Sequence, residues 1–168
     1  MMEMALMHYF LCLEINQDAS SIKLSQVKYA QDLLVRFHMI DCKSTPTPFL
    51  FGVRLEDGGD TPLVDNTLYR QLVRSLMYLT HTRSDLSYAV GEVSKYMQEP
   101  HVLQWKAAKN ILRYVQGTTS YGIHYATSCA LDPMVFIDSD WASDNIDHKY
   151  SFVYVLSLGF DPMCCLRK

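Results

Sequence analysis

No stretch of this sequence approaches the roughly 20 consecutive apolar residues of a membrane span, so no membrane partner is expected. The phosphate-cradling GxxxxGK[ST] loop, the GxGxxG dinucleotide turn, the HExxH zinc helix and the GxSxG nucleophile elbow are all missing, which removes the common nucleotide-hydrolysing, dehydrogenase, metalloprotease and esterase readings. Cys12, Cys42, Cys129, Cys164 and Cys165 are odd in number and show no CxxC spacing. That excludes a disulfide scaffold and leaves reduced thiols as the expectation. Cys12 reads as packed in an apolar strand, and Cys164-Cys165 as an exposed oxidation liability. Six histidines, His8, His38, His81, His101, His124 and His148, lack ligand spacing. Seven glycines and six prolines among 168 residues are too few for a collagen-like or low-complexity chain. The first residues carry Glu3 and His8 without a basic leader, so they do not read as a signal peptide. A cytoplasmic or nuclear protein is expected. An excess of positive charge is missing too: 15 basic against 18 acidic residues give a net charge of -3, not the polycation of a nucleic-acid coat.

What is present is an ordinary globular mixture, 49% hydrophobic and 20% charged, enough to bury a core in one domain or one domain plus part of another. The charge is uneven. Residues 67–125 hold seven basic and three acidic groups, a local +4, while residues 126–168 hold three and six. Residues 8–15 and 21–24, separated by Asn16-Gln17-Asp18, read as a β-hairpin. Val27, Ala30, Leu34 and Phe37 then recur at helical spacing, and prolines 46, 48 and 62 with glycines 52, 58 and 59 mark an exposed linker over 46–66. Three further apolar stripes predict a helical bundle over 67–120: Leu68, Leu72, Leu76, Leu79; Leu86, Val90, Val93, Met97; and Leu103, Ala107, Ile111, Tyr114, with Gly117 as a C-cap. From 121 onward, residues 121–125, 134–138 and 150–158 read as strands. The fold class is therefore α+β, with segments 1–45, 46–66, 67–120 and 121–168.

Two clusters bear on chemistry. Lys106, Lys109 and Arg113 fall at i, i+3 and i+7, one face of the last helix, and Arg70 and Arg74 form a second row four residues apart. Such rows suit phosphate contacts, each adding a counterion-release contribution to nucleic-acid binding, and suit equally the solvated face of a helix. Asp138, Asp140 and Asp144 follow an apolar strand. They suit an oxygen-ligand site for Mg²⁺, and equally an acidic turn.

Taken in order, the motifs resemble the Pol polyprotein of copia-type LTR retrotransposons. The matching residues are Met7-His8-Tyr9-Phe10-Leu11-Cys12-Leu13-Glu14-Ile15, Leu24-Ser25-Gln26-Val27-Lys28-Tyr29-Ala30, and Leu68-Tyr69-Arg70-Gln71-Leu72-Val73-Arg74-Ser75-Leu76. They continue with Thr82-Arg83-Ser84-Asp85, Ala107-Ala108-Lys109-Asn110-Ile111-Leu112-Arg113-Tyr114, Gly117-Thr118-Thr119, Tyr121-Gly122-Ile123 and Asp138-Ser139-Asp140-Trp141-Ala142, spanning about residues 7 to 159. The resemblance implies the end of a reverse transcriptase palm, a thumb and connection region, and the first strands of ribonuclease H. It implies an RNA-DNA hybrid or DNA duplex as partner, the hairpin near the primer end, and the basic rows facing phosphates. It makes Asp138 the remnant catalytic carboxylate and a ligand of the Mg²⁺ used by the parent family.

The departures from the family pattern are as informative. The polymerase aspartates and the later ribonuclease H carboxylates have no counterparts here, so a catalytically inactive, truncated Pol fragment with residual duplex binding is expected, and no functional metal. A split ribonuclease H completed in trans is a lesser option. The rival from another class is a host-retained or secreted effector-like protein-interaction scaffold, with a partner at the apolar C-terminal strand edge. Cys12 and His38 stand where the family usually has glycine, which puts a side chain where a permissive φ was available. The tail from Phe160 loses the pattern, and an unpaired strand edge over 134–159 is expected.

Overall fold

The computed structural model describes residues 7–49, 52–56, 61–126, 133–140, 151–158 and 161–167; for 138–140, 151–155, 158 and 161–167 it describes the backbone alone. The chain divides into two compact units, one formed by residues 26–121 and the other by residues 1–25 together with 122–168. The architecture is mixed helix and antiparallel sheet, α+β.

The first unit is helical. Helix α1 (Val27–Arg36) buries Ala30, Leu33 and Leu34, the face set by its 3.6-residue apolar period. It ends in a Schellman arrangement, with the His38 N–H donating to the Val35 carbonyl and the Met39 N–H to the Leu34 carbonyl. This geometry requires a left-handed residue just past the cap, and His38 sits there at φ 55°. Helix α2 (Asn66–Leu79) starts at Asp65, whose carboxylate accepts from the Thr67 and Leu68 N–H groups at 2.8 and 3.3 Å, satisfying donors that the first turn leaves free. Its buried face is rotated from the expected one: Leu68 is 39% exposed and Tyr69 is fully buried in its place. Tyr69 tolerates this because its hydroxyl donates to the Val93 carbonyl at 2.7 Å; burial pushes that hydroxyl's pKa upward.

A 3₁₀ turn (Ser84–Leu86) leads into α3 (Ser87–Ser94), which buries Ala89, Val90 and Val93. Helix α4 (Val102–Gly117) buries Gln104, Ala107, Ala108, Asn110, Ile111, Leu112 and Val115, an arc too wide for a helix covered on one side. The extra cover comes from the described residues of 40–49 and 52–55, among which there is no helix or strand longer than a single 3₁₀ turn. Gly117 is the last helical residue rather than a left-handed cap. Thr118 occupies the C-cap at φ −134°, and a Cβ on Gly117 would lie 2.9 Å from Ser44 Cβ, so the glycine serves a close approach. Among the described residues no helix is long and apolar enough to cross a membrane.

In the second unit, β1 (Tyr9–Phe10), β2 (Leu13–Gln17), β3 (Ser21–Ser25) and β4 (Gly122–Ala126) form an antiparallel sheet in that order. The expected first strand is broken in two. Phe10 pairs with Leu13, so Leu11 and Cys12 make a two-residue loop with φ 46° and 59°, the sign pattern of a type I′ turn. Cys12 is thus a half-buried free thiol in a turn, not a strand residue. Strand β4 pairs with β3 from Ser21↔Ala126 to Ser25↔Gly122, and a Cβ on Gly122 would collide with the Leu24 carbonyl oxygen. That approach requires glycine.

The second sheet runs β5 (Pro133–Asp140), β6 (Ser151–Leu158), β7 (Asp161–Arg167), antiparallel throughout, with a register shift at Leu156/Ser157. The tail therefore forms a strand on β6, and among the described residues the free edge within 134–159 is that of β5. There Met134, Val135, Phe136 and Ile137 are all exposed, Ile137 by 72%. The acidic turn from Asp144 to Asp147, and Trp141, Ala142, Cys129 and His148, lie outside the described residues.

Candidate nucleic-acid interface

The basic row of α4 occupies successive turns of one helix, and its three groups are held differently. Lys106 is exposed. Lys109 Nζ lies 5.1 Å from the centroid of the Trp105 ring, a cation-π contact that fixes the ammonium without neutralising it. Trp105 in turn packs 6.4 Å from Tyr69. Arg113 donates from Nε to the Lys43 carbonyl at 2.8 Å, which orients the guanidinium and leaves its two terminal amino groups as donors. On α2, Arg70 is tied in the same way, with Nε donating to the Met97 carbonyl at 2.8 Å, while Arg74 is exposed. An arginine anchored by Nε to a carbonyl keeps its full charge and loses less rotamer entropy when an anion arrives. The two rows stand on different helices of one unit, and no described contact joins them.

Beside α4 runs a strap that begins at Ile40 and continues into the segment expected as a linker over 46–66. Gln116 Nε2 donates to the Ile40 carbonyl at 3.1 Å, Arg113 to that of Lys43, and Asn110 Nδ2 to those of Thr47 and Pro48 at 3.2 Å each. Gln104 Nε2 donates to the Leu55 carbonyl at 2.6 Å. The Thr45 N–H returns a bond to the Arg113 carbonyl at 3.4 Å. Polar side chains of α4 thus give hydrogen-bond partners to a strap that has no ladder of its own.

The residue sequence reasoning passed over is Arg83. It is 3% exposed, donating from Nε and NH2 to the two Asp85 carboxylate oxygens at 2.9 and 2.7 Å. It also donates from NH1 and NH2 to the Thr118 carbonyl and hydroxyl, both at 2.8 Å. Its guanidinium lies 5.6 Å from the Tyr114 ring centroid and 5.3 Å from that of Tyr121. Burial pushes the Asp85 carboxyl up, but the Arg83 hydrogen bonds and charge, with a bond from Tyr114, hold it below the usual carboxylate range. Burial and the same carboxylate push the Tyr114 hydroxyl up. The signal was an arginine and an aspartate two apart beside an apolar stripe, spacing that allows a local bidentate pair.

Asp138 lies on β5 with its backbone opposite Val153, and its side chain is outside those described. Mg²⁺ needs several oxygen ligands in octahedral array. Among the described residues no group of three His, Cys, Asp or Glu side chains comes together; the side chains of Asp138 and Asp140, and residues Asp144 and Asp147, are outside them.

No protein-family model matches the chain, and no solved structure matches it. The Retrovirus-related Pol polyprotein from transposon RE2 of Arabidopsis thaliana is 40% identical over 157 residues, covering 94% of this chain and 11% of the relative. That from transposon TNT 1-94 of Nicotiana tabacum is 35% identical over 146 residues, 80% of this chain and 10% of the relative. An uncharacterized mitochondrial protein of Arabidopsis thaliana is 39% identical over 145 residues, 84% of this chain and 59% of the relative. The chain therefore spans about a tenth of the length of the transposon polyproteins it matches. With identity of this level running through both structural units, the chain belongs to the copia-type retrotransposon Pol polyproteins.

Proposed function

We propose that this chain is a duplex-holding segment of a retrotransposon reverse transcriptase and ribonuclease H region, which grips an RNA-DNA hybrid or DNA duplex by its phosphates and performs no cleavage by itself. The observation that carries the reading is the α4 row. Lys106, Lys109 and Arg113 share one helix face, Arg113 is anchored to a backbone carbonyl and Lys109 to an indole, and the surrounding segment is the one positively charged block of an acidic chain. Arg70, with its guanidinium tied to Met97, and Arg74 form the second contact row. Phosphate contacts of this kind position a protein on a duplex and carry no base information. Binding is therefore indifferent to sequence, with dissociation constants of about 10⁻⁴ to 10⁻⁶ M. The strands from β5 onward are proposed as the opening of a ribonuclease H-like sheet, with Asp138 a single carboxylate of a set that must jointly hold the metals.

Anisotropy titration of a labelled RNA-DNA hybrid at about 50 and about 200 mM salt tests the reading. Binding should weaken steeply with salt, and replacing Lys106, Lys109 and Arg113 by alanine should flatten the plot of log K against log salt by nearly three units. Absence of binding at both salts from a folded protein would sink it. Asp138→Asn should leave hybrid cleavage at the background level of the unchanged chain. The second reading, a protein-interaction scaffold, is favoured by one observation, the exposed apolar residues Met134 to Ile137 on edge strand β5. It takes over if the duplex is not bound and β5 variants alone change association.

A further inference from the structure

We infer that the strap of residues 40–48 belongs to the phosphate-contacting surface, with Lys43 as its contact residue and Arg113 and Asn110 as the groups that position it. This rests on the duplex reading of α4 and extends it to a segment on the far side of a connection from the helix. The Lys43 carbonyl accepts from Arg113 Nε at 2.8 Å, the Thr45 N–H donates back to the Arg113 carbonyl at 3.4 Å, and Asn110 holds Thr47 and Pro48 at 3.2 Å. These bonds hold Lys43 and the residues after it, and fix its backbone beside the last basic residue of the α4 row. Gln116 secures the start of the strap at Ile40, and Gly117 admits Ser44, the residue after Lys43, against the helix end.

The consequence is electrostatic. Lys43 is exposed, and adding it to Lys106, Lys109 and Arg113 turns a row along one helix into a strip crossing two chain segments. Bringing two cations side by side costs repulsion unless a polyanion lies over them, and a phosphate backbone supplies closely spaced charges. Asp41, also exposed and two residues before Lys43, offsets part of that field, so Asp41→Asn should tighten binding and Lys43→Ala should loosen it.

The test uses the full chain and the same labelled RNA-DNA hybrid. Lys43→Ala should weaken binding roughly threefold to tenfold and lower the salt slope by about one unit, while Lys28→Ala on α1 should leave both unchanged. Asn110→Leu should release the strap, so that Lys43→Ala made on top of it costs less than in the unchanged chain, a coupling that an isolated surface lysine would not show. Lys43→Glu should weaken binding more than Lys43→Ala. If the unchanged chain binds, the α4 triple variant loses binding and Lys43→Ala behaves like Lys28→Ala, the strap is no contact and the duplex reading stands. If the unchanged chain does not bind, both fail together.

Discussion

His38 and the pair Leu11-Cys12 hold left-handed backbone without being glycine, a conformation that costs a side-chain-bearing residue roughly 1–2 kcal/mol. His38→Gly keeps the Schellman bonds to Val35 and Leu34 and should raise stability by about 1 kcal/mol, read as a higher urea midpoint. A lower midpoint would mean that the imidazole makes a compensating contact. Arg83 carries the opposite risk. It makes four hydrogen bonds to Asp85 and Thr118 at once, and a lysine cannot reproduce that fork. Arg83→Lys should therefore lose about 1.5 to 3 kcal/mol, the scale of hydrogen bonds to charged groups, because Arg83 is buried while Asp85 is 37% exposed. Asp85, depressed below the ordinary carboxylate value of 3.8, adds stability that is present above that value and lost as pH falls through it toward the folded pKa. Asp18, lowered to about 2 by bonds from Ser20 and Ser21, adds to the same slope. Urea midpoints should thus fall as the pH drops from about 4 toward about 2, and fall less in Asp85→Asn, whose neutral amide cannot titrate.

The helices were legible because burial on one face imposes a 3.6-residue period: Ala30 and Leu34, Leu72 and Leu76, Val90 and Val93, Ala107 and Ile111 are all in the core. The strap was not legible. It is held by Gln104, Asn110, Arg113 and Gln116 donating to carbonyls 49 to 76 residues away in sequence, and such bonds have no period and no preferred acceptor residue. The first hairpin was blurred for a related reason, since type I′ turns are usually announced by Asn-Gly and here are built from Leu-Cys. Strand β5 has a different consequence. An edge strand exposing Met134, Val135, Phe136 and Ile137 is a template for pairing with another chain. Light scattering should show association that grows with concentration, and Phe136→Lys should reduce it; unchanged association would place the contact elsewhere.

For the molecule as a whole, the division into units cuts across the order of the chain: β3 at residues 21–25 pairs with β4 at 122–126, so the entire helical unit is inserted between two neighbouring strands. The basic groups proposed to meet phosphate all belong to that inserted unit. A net charge of -3 therefore does not oppose duplex binding locally, because at about 150 mM salt charges more than roughly 8 Å apart are largely screened. The salt slope, rather than the affinity, is the quantity that reports how many of the five predicted cations and Lys43 engage.

From the order of residues alone came the α+β class, the helices, the family resemblance and the two basic rows, because each follows from local periodicity or from a run of matching side chains. The role of Arg83, the strap beside α4, the close approaches at Gly117 and Gly122 and the pairing of the tail with β6 came only with the folded chain. All of these join residues far apart in sequence, or depend on a backbone geometry that several residue types can adopt at different cost. Hydrogen bonds to backbone carbonyls are blind to the identity of the accepting residue, so nothing in the sequence marks where they will form.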